Sequence, residues 1–268
     1  MPNVVPPARR FGRGMTLCAV WAVVAWAVLT PPAGAADPDT LWKIVNGQCV
    51  PNQQRHHNPE PCTEVDIRSG VARGHVVLKD IRGDTQYLVI PTARVTGIES
   101  PALLAPGAPN YWAPAWKARR HVVARAGRPL PRDAIALAVN SQPGRSQNQL
   151  HIHVDCVRPD VRDYLLKHAG KLSSRWSASA VPFDGHAYRL LRVDSADLRG
   201  VDPFRLLARG IPGARAEMGD WSLVVVGLEP RGFVVLAGHV DAAKGDRASG
   251  EELMDHDCAL ARSLPRGK

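Results

Sequence analysis

The 268-residue chain lacks the short signatures that mark the common phosphate and hydrolase chemistries. It has no Gly-x-x-x-x-Gly-Lys loop, so nothing cradles a nucleotide in the P-loop manner. It has no Gly-x-Ser-x-Gly elbow, which leaves Ser141 and Ser146 without the context of a serine nucleophile. A His-Glu-x-x-His helix and a Cys-x-x-Cys pair are both missing, which removes the two commonest sequence grounds for a zinc site. There is no internal repeat, no low-complexity tract and no nucleic-acid-reading motif. After residue 29 no apolar run is long enough to cross a membrane.

What is present begins with a leader. Arg9, Arg10 and Arg13 precede an unbroken apolar run over residues 17–29, and Ala33-Gly34-Ala35 follows as a small-residue cleavage site. Residues 1–36 are therefore expected to be a signal peptide or an uncleaved membrane anchor, with residues 37–268 as one domain outside the cytoplasm. Apolar content of 45% and charged content of 22% are those of a globular protein. The net charge of +9 calls for an anionic partner, and in an exported chain that is an anionic lipid surface rather than nucleic acid. No protein partner is indicated. Outside the leader the cysteines are Cys49, Cys62, Cys156 and Cys258, an even set suited to an oxidising compartment. Of three possible pairings, the favoured one is Cys49–Cys62 with Cys156–Cys258. A Cys/His zinc site competes with it.

Periodicity predicts helices over residues 39–50, 111–126, 160–168 and 251–261, and a weaker one over 195–209. In the 111–126 helix Trp112, Trp116 and Val123 are expected on the apolar face, and Lys117, Arg119, Arg120 and Arg125 on the solvated one. Residues 51–62 read as a loop and 173–186 as irregular. Three hairpins are expected: 75–80 with 86–91, 134–140 with 147–156, and 221–228 with 232–237. The fold class is α+β, an antiparallel sheet with packed helices.

The stretch over residues 147–156, Gln-Asn-Gln-Leu-His-Ile-His-Val-Asp-Cys, alternates strictly. As a strand it would line Gln149, His151 and His153 along one face and Leu150, Ile152 and Val154 along the other. A single strand histidine is usually structural; two at spacing two beside an amide suit phosphate chemistry. A neutral imidazole can attack phosphorus and form a phosphoramidate labile enough for water to cleave. Gln147, Asn148, Gln149, Asn140 and Arg145 are expected to bind the substrate's phosphates, since uncharged and cationic donors stabilise the developing charge and carboxylates would repel it. No cofactor or metal is required. The competing chemistry is a zinc phosphohydrolase on His151 and His153, with Asp255, His256 or Asp257 as third ligand, although that run is more simply placed as polar residues on the closing helix. A non-catalytic lipid- or nucleotide-binding module is the other alternative.

The histidine stretch resembles the histidine-triad superfamily, whose signature is His-x-His-x-His-x-x with apolar x. The resemblance is closer to the CDP-diacylglycerol pyrophosphatases. It is carried by Leu-Trp-Lys-Ile-Val at 41–45, Val-Val-Leu-Lys-Asp at 76–80, Tyr-Leu-Val-Ile-Pro at 87–91, Thr-Gly-Ile-Glu-Ser-Pro at 96–101, the 147–156 stretch, and Asp-His-Asp-Cys at 255–258. It implies a histidine-triad-like sheet and cleavage of CDP-diacylglycerol to CMP and phosphatidate. His151 falls at the nucleophile's position and His153 at the third. Gln149 stands where the superfamily has its first histidine; it cannot carry a proton but can still hydrogen-bond.

Overall fold

The computed structural model describes residues 1–4, 37–178 and 180–263. Most of the expected leader, with its apolar run, lies outside them. Among the described residues no helix is long and apolar enough to cross a membrane.

β-Branched runs build the centre. Ten strands, β1 (Glu64–Asp66), β2 (His75–Lys79), β3 (Tyr87–Pro91), β4 (Ile135–Val139), β5 (Ile152–Val157), β6 (Val181–Phe183), β7 (His186–Val193), β8 (Trp221–Gly227), β9 (Phe233–His239) and β10 (Met254–Asp255), form one antiparallel sheet. Its order is β1-β2-β3-β5-β4-β8-β9-β7-β6, with β10 also paired to β5. All three expected hairpins are present, and the expected α+β class with a large antiparallel sheet holds.

The helices are α1 (Thr40–Ile44), α2 (Val50–His56), α3 (Trp112–Ala126), α4 (Pro159–His168), α5 (Pro203–Gly210) and α6 (Ala259–Ser263). One face of the sheet packs on α3 and α5 through Trp112, Trp116, Phe204 and Leu207. The other face carries two separate apolar clusters. One seats α1 and α2 on β2 and β3, through Leu41, Val45, Val76 and Ile90. The second seats α4 on β4, β8 and β9, through Val161, Leu165, Val224 and Leu236. Strand β5 runs between them. Ile152, Val154 and Cys156 point into the α3 side, so His153 and Asp155 point the other way, into the seam. There His153 lies opposite Leu88 on β3 and Ala138 on β4.

Several expectations are corrected. The 39–50 helix does not stop before Pro51. A π turn (Val45–Cys49) leads without a break into α2, and Pro51 lies at the start of α2, directly after that widened turn. The histidine strand starts at Ile152 rather than 147, because residues 147–149 bond to other segments instead of a neighbouring strand. The irregular 173–186 span contains β6 and the first residue of β7. β7 is hard to see because Arg189 and Arg192 interrupt its apolar residues. The closing helix is a 3-10 turn (Gly250–Leu253), then β10, then the short α6. The weak 195–209 helix begins only at Pro203, where Asp202 caps it by accepting from the Phe204 and Arg205 N–H groups. On α3 it is Val122, not Val123, that is buried, and the Arg119 guanidinium lies 4.3 Å over the Trp116 ring.

Both favoured disulfides are present, Cys49–Cys62 and Cys156–Cys258. The second joins residues 102 apart in sequence and ties the C-terminal segment to β5. Closing so long a loop restricts the unfolded chain, and its loss is expected to cost about 2–4 kcal/mol. The double substitution Cys156→Ser with Cys258→Ser should lower the denaturant midpoint accordingly; an unchanged midpoint would show the bridge to be dispensable for stability.

Candidate active site

His151 and His153 sit at the mouth and in the body of the seam, 8% and 4% exposed. Their rings meet edge to face with centroids 4.8 Å apart. The two residues are positioned differently. His153 is held by the β-ladder, whereas His151 is the residue just before β5 and is held by a hydrogen bond. Its Nδ1 lies 2.7 Å from the Gln149 carbonyl. A carbonyl oxygen only accepts, so Nδ1 carries the proton and, in the neutral ring, Nε2 carries the lone pair. Burial holds both imidazoles below the usual histidine pKa, which keeps them neutral near pH 7; for His153 the Glu251 carboxylate pulls the other way, and His151 reinforces the lowering.

The polar atoms of the five expected substrate-binding residues are largely engaged within the protein, and of the five Gln149 contacts the pair, through its carbonyl on His151. Gln149 Nε2 donates to the Pro91 and Ala93 carbonyls, leaving its Oε1 buried without a partner. Gln147 accepts from the Leu41 N–H and donates to the Asp37 carbonyl, and the Asn148 N–H donates to Pro38. These three contacts seat residues 37–41 against the loop that leads to His151. Arg145 is buried and bidentate on Glu99, at 2.6 and 2.8 Å, so its charge is already matched. Asn140 donates to the Glu251 carboxylate and accepts from the Glu251 N–H.

The expectation that carboxylates would be kept away is overturned. Asp80, Asp155 and Glu251 all come to the His153 side. Glu251 Oε1 is 3.6 Å from His153 Nδ1. His256 compensates them: its Nδ1 is 3.0 Å from Asp155 Oδ2 and its Nε2 3.3 Å from Glu251 Oε1. Both carboxylates accept, so both ring nitrogens donate and the ring is an imidazolium. Hydrogen bonds donated to Asp155 and Glu251 push its pKa up to about 10. The Glu251 carboxyl is held far below the usual range; burial alone would raise it, but His256, His153 and Asn140 outweigh that.

This settles how residues 255–257 are used. They are not polar residues on a helix. Asp255 accepts from the Asp257 and Ala259 N–H groups and shapes the turn into α6, while His256 turns inward. An imidazolium has no lone pair to give a metal ion. Among the described residues, no group of three or more His, Cys, Asp or Glu side chains is arranged to hold one. Glu251, Asp155 and Gln86 were missed from sequence alone. Glu251 and Gln86 come from separate segments and share no spacing with the histidines, whereas Asp155, two residues beyond His153 on β5, continues their face and was passed over because it is a carboxylate.

Two cavities, of about 450 and 680 Å³, are lined in part by Trp116 and Trp176 respectively, residues of the opposite face of the sheet, and neither is lined by the histidines. The seam is therefore the place where the neutral imidazole pair, a fixed imidazolium and the residue blocks noted in the sequence converge. A family model for CDP-diacylglycerol pyrophosphatase matches residues 36–262. The chain belongs to this family. Membership makes it a hydrolase of a diphosphate bond, with CDP-diacylglycerol as substrate. Two disulfides in this CDP-diacylglycerol pyrophosphatase family member accord with a domain outside the cytoplasm.

The sign of the His256 shift gives a pH test. Its folded-state pKa lies above the ordinary value of 6.5, so its contribution to stability is complete below about pH 6.5 and is lost as pH rises through about 10. Unfolding free energies of the native protein and His256→Gln should differ most on the acid side and converge in alkali. A difference that stays constant through pH 10 would show that His256 is not held as the cation.

Proposed function

We propose that the protein cleaves CDP-diacylglycerol through a covalent intermediate on His151. The observation that carries this reading is the Nδ1–H contact to the Gln149 carbonyl, which leaves the lone pair on Nε2 of a neutral, nearly buried ring. Nε2 attacks the phosphorus of the CMP half. The Nε2–P bond forms as the P–O bond of the diphosphate breaks, and phosphatidate leaves with the bond's electron pair. Water then attacks the same phosphorus, the Nε2–P bond breaks, and CMP is released with His151 restored. His153, adjacent and without a hydrogen-bond partner of its own, is available to the charged phosphate oxygens.

The surroundings fit a lipid substrate. The excess of basic residues attracts an anionic bilayer, at roughly 1 kcal/mol for each Lys or Arg held near the surface. A leader over residues 1–36, retained as an anchor, would keep the domain at the outer face of a membrane. Gln147, Asn148, Gln149, Asn140 and Arg145 act in this reading chiefly by shaping the loop that presents His151, and the substrate meets the histidines between them.

CMP release from CDP-diacylglycerol in detergent, with EDTA present, tests the mechanism. His151→Ala should lower the rate by at least about a thousandfold, since the nucleophile has no substitute. A quenched reaction of the native protein should contain a CMP–imidazole adduct. Equal rates for both proteins would remove His151 as nucleophile; activity absent with EDTA and restored by zinc would replace the covalent route with a metal-dependent one.

A further inference from the structure

We propose that Glu251 is the positioning residue of His153, and that His256 locks Glu251 in place by bridging it to Asp155. The inference rests on the histidine mechanism above and extends it to two residues outside the histidine strand.

The starting point is an imidazole without partners. His153 is 4% exposed and neither ring nitrogen makes a hydrogen bond within the protein. A buried polar ring is ordinarily paired. Glu251 Oε1, 3.6 Å from His153 Nδ1, is the carboxylate beside it, too far for a full hydrogen bond and near enough to orient the ring. With Nδ1 turned to the carboxylate, Nε2 is left for the substrate.

Glu251 itself has no such freedom. Its Oε1 accepts from His256 Nε2 and from Gln86 Nε2, each at 3.3 Å, and its Oε2 accepts from Asn140 Nδ2 at 3.3 Å. Its N–H donates to Asn140 Oδ1 at 3.0 Å. The bridge is anchored at its far end too. Asp155 accepts from the Thr85 hydroxyl at 2.5 Å and from the Cys156 N–H at 2.9 Å. The Cys156–Cys258 disulfide holds the His256 turn against the strand that carries Asp155. Three separate segments, carrying Gln86, Asn140 and His256, thus converge on one carboxylate oxygen pair beside His153.

Charge explains why so firm a hold is useful. The groups facing His153 are Glu251 and Asp80, which favour its protonation, and His151 and His256, which oppose it. Asp80 is itself bound by Gln86 Nε2 and the Arg82 N–H. In the empty site burial keeps His153 neutral. An anionic diphosphate bound at His151, whose ring meets that of His153 at 4.8 Å, adds negative charge beside it, and His153 takes up a proton to match it. Glu251 is then the counter-ion at Nδ1, and Nε2–H donates to a phosphate oxygen.

The test is the pH dependence of kcat and KM for the full chain with CDP-diacylglycerol in micelles, comparing the native protein, Glu251→Gln, Glu251→Asp and His151→Ala. Removing the Glu251 charge lowers the His153 pKa in the complex. For Glu251→Gln, kcat should fall about a hundredfold, KM should stay within about threefold, and the alkaline limb of the kcat profile should move to lower pH. Glu251→Asp keeps the charge and should recover part of the rate and the position of the limb. A native rate and limb in Glu251→Gln overturn the proposal. So does a loss of rate without movement of the limb, since a scaffold role alone gives that. If Glu251→Gln does not fold, His256→Gln is measured instead: lower kcat with the limb moved to higher pH, as the opposing cation is removed, supports the bridge, and an unchanged profile overturns it. His151→Ala decides the covalent reading separately, whichever way Glu251 falls.

Discussion

Everything at this site follows from burying two imidazoles in the middle of a wide sheet. Desolvation makes the neutral form of each ring the favoured one, which is the form a nucleophile needs, and removes the water that would otherwise compete for its lone pair. The same burial would be intolerable for a strand whose polar face met an unbroken apolar layer. The fold avoids that by dividing the layer. Apolar clusters seat α1 and α2 on one side and α4 on the other, and β5 takes the gap between them.

The gap is closed by ions rather than by packing. Asp155, His256 and Glu251 alternate in sign along the floor of the seam, so each buried charge has an opposite neighbour. Two of the three come from the C-terminal segment, and the long-range disulfide beside them fixes that segment to β5. Arg145 and Glu99 play the corresponding part at the other end, where a matched, part-buried pair braces the loop before His151. Charge at this site is used mainly to hold elements together; the paired imidazoles themselves are neutral at rest.

Much of the fold was legible in the sequence where periodicity is strong. The runs at 75–80, 86–91, 134–140 and 221–228 are β-rich and bounded by turn residues, and they are strands. The failures have local causes. β1 has three residues at an edge and too little pattern to detect. Pro51 looks like a helix breaker unless the preceding π turn is known. β7 alternates only in part. In the site, His151 and His153 announce themselves by spacing, because a strand's period of two makes their common face visible. Asp155 continues that face, but Glu251 and His256 do not, since their meeting with it depends on β10 pairing with β5 and on a turn between Asp255 and Ala259. The apparent phosphate donors around the histidines were read from residue type alone. The structure shows that Gln147 and Asn140 have partners in distant segments, which residue type could not reveal.

The position of β5 also governs when the site can come into being. Its neighbours are β4, just before it in the chain, β3, some distance back, and β10, near the far end. Contacts between such distant residues are slow to form and arise late, because each must close a long loop first. The histidine strand thus depends on a partner, β10, that lies near the far end of the chain and is tied to it by the second disulfide. A chain in which that last pairing has not formed carries the histidines without Glu251 and His256 beside them, so the assembly of the candidate site is expected to be among the later events of folding.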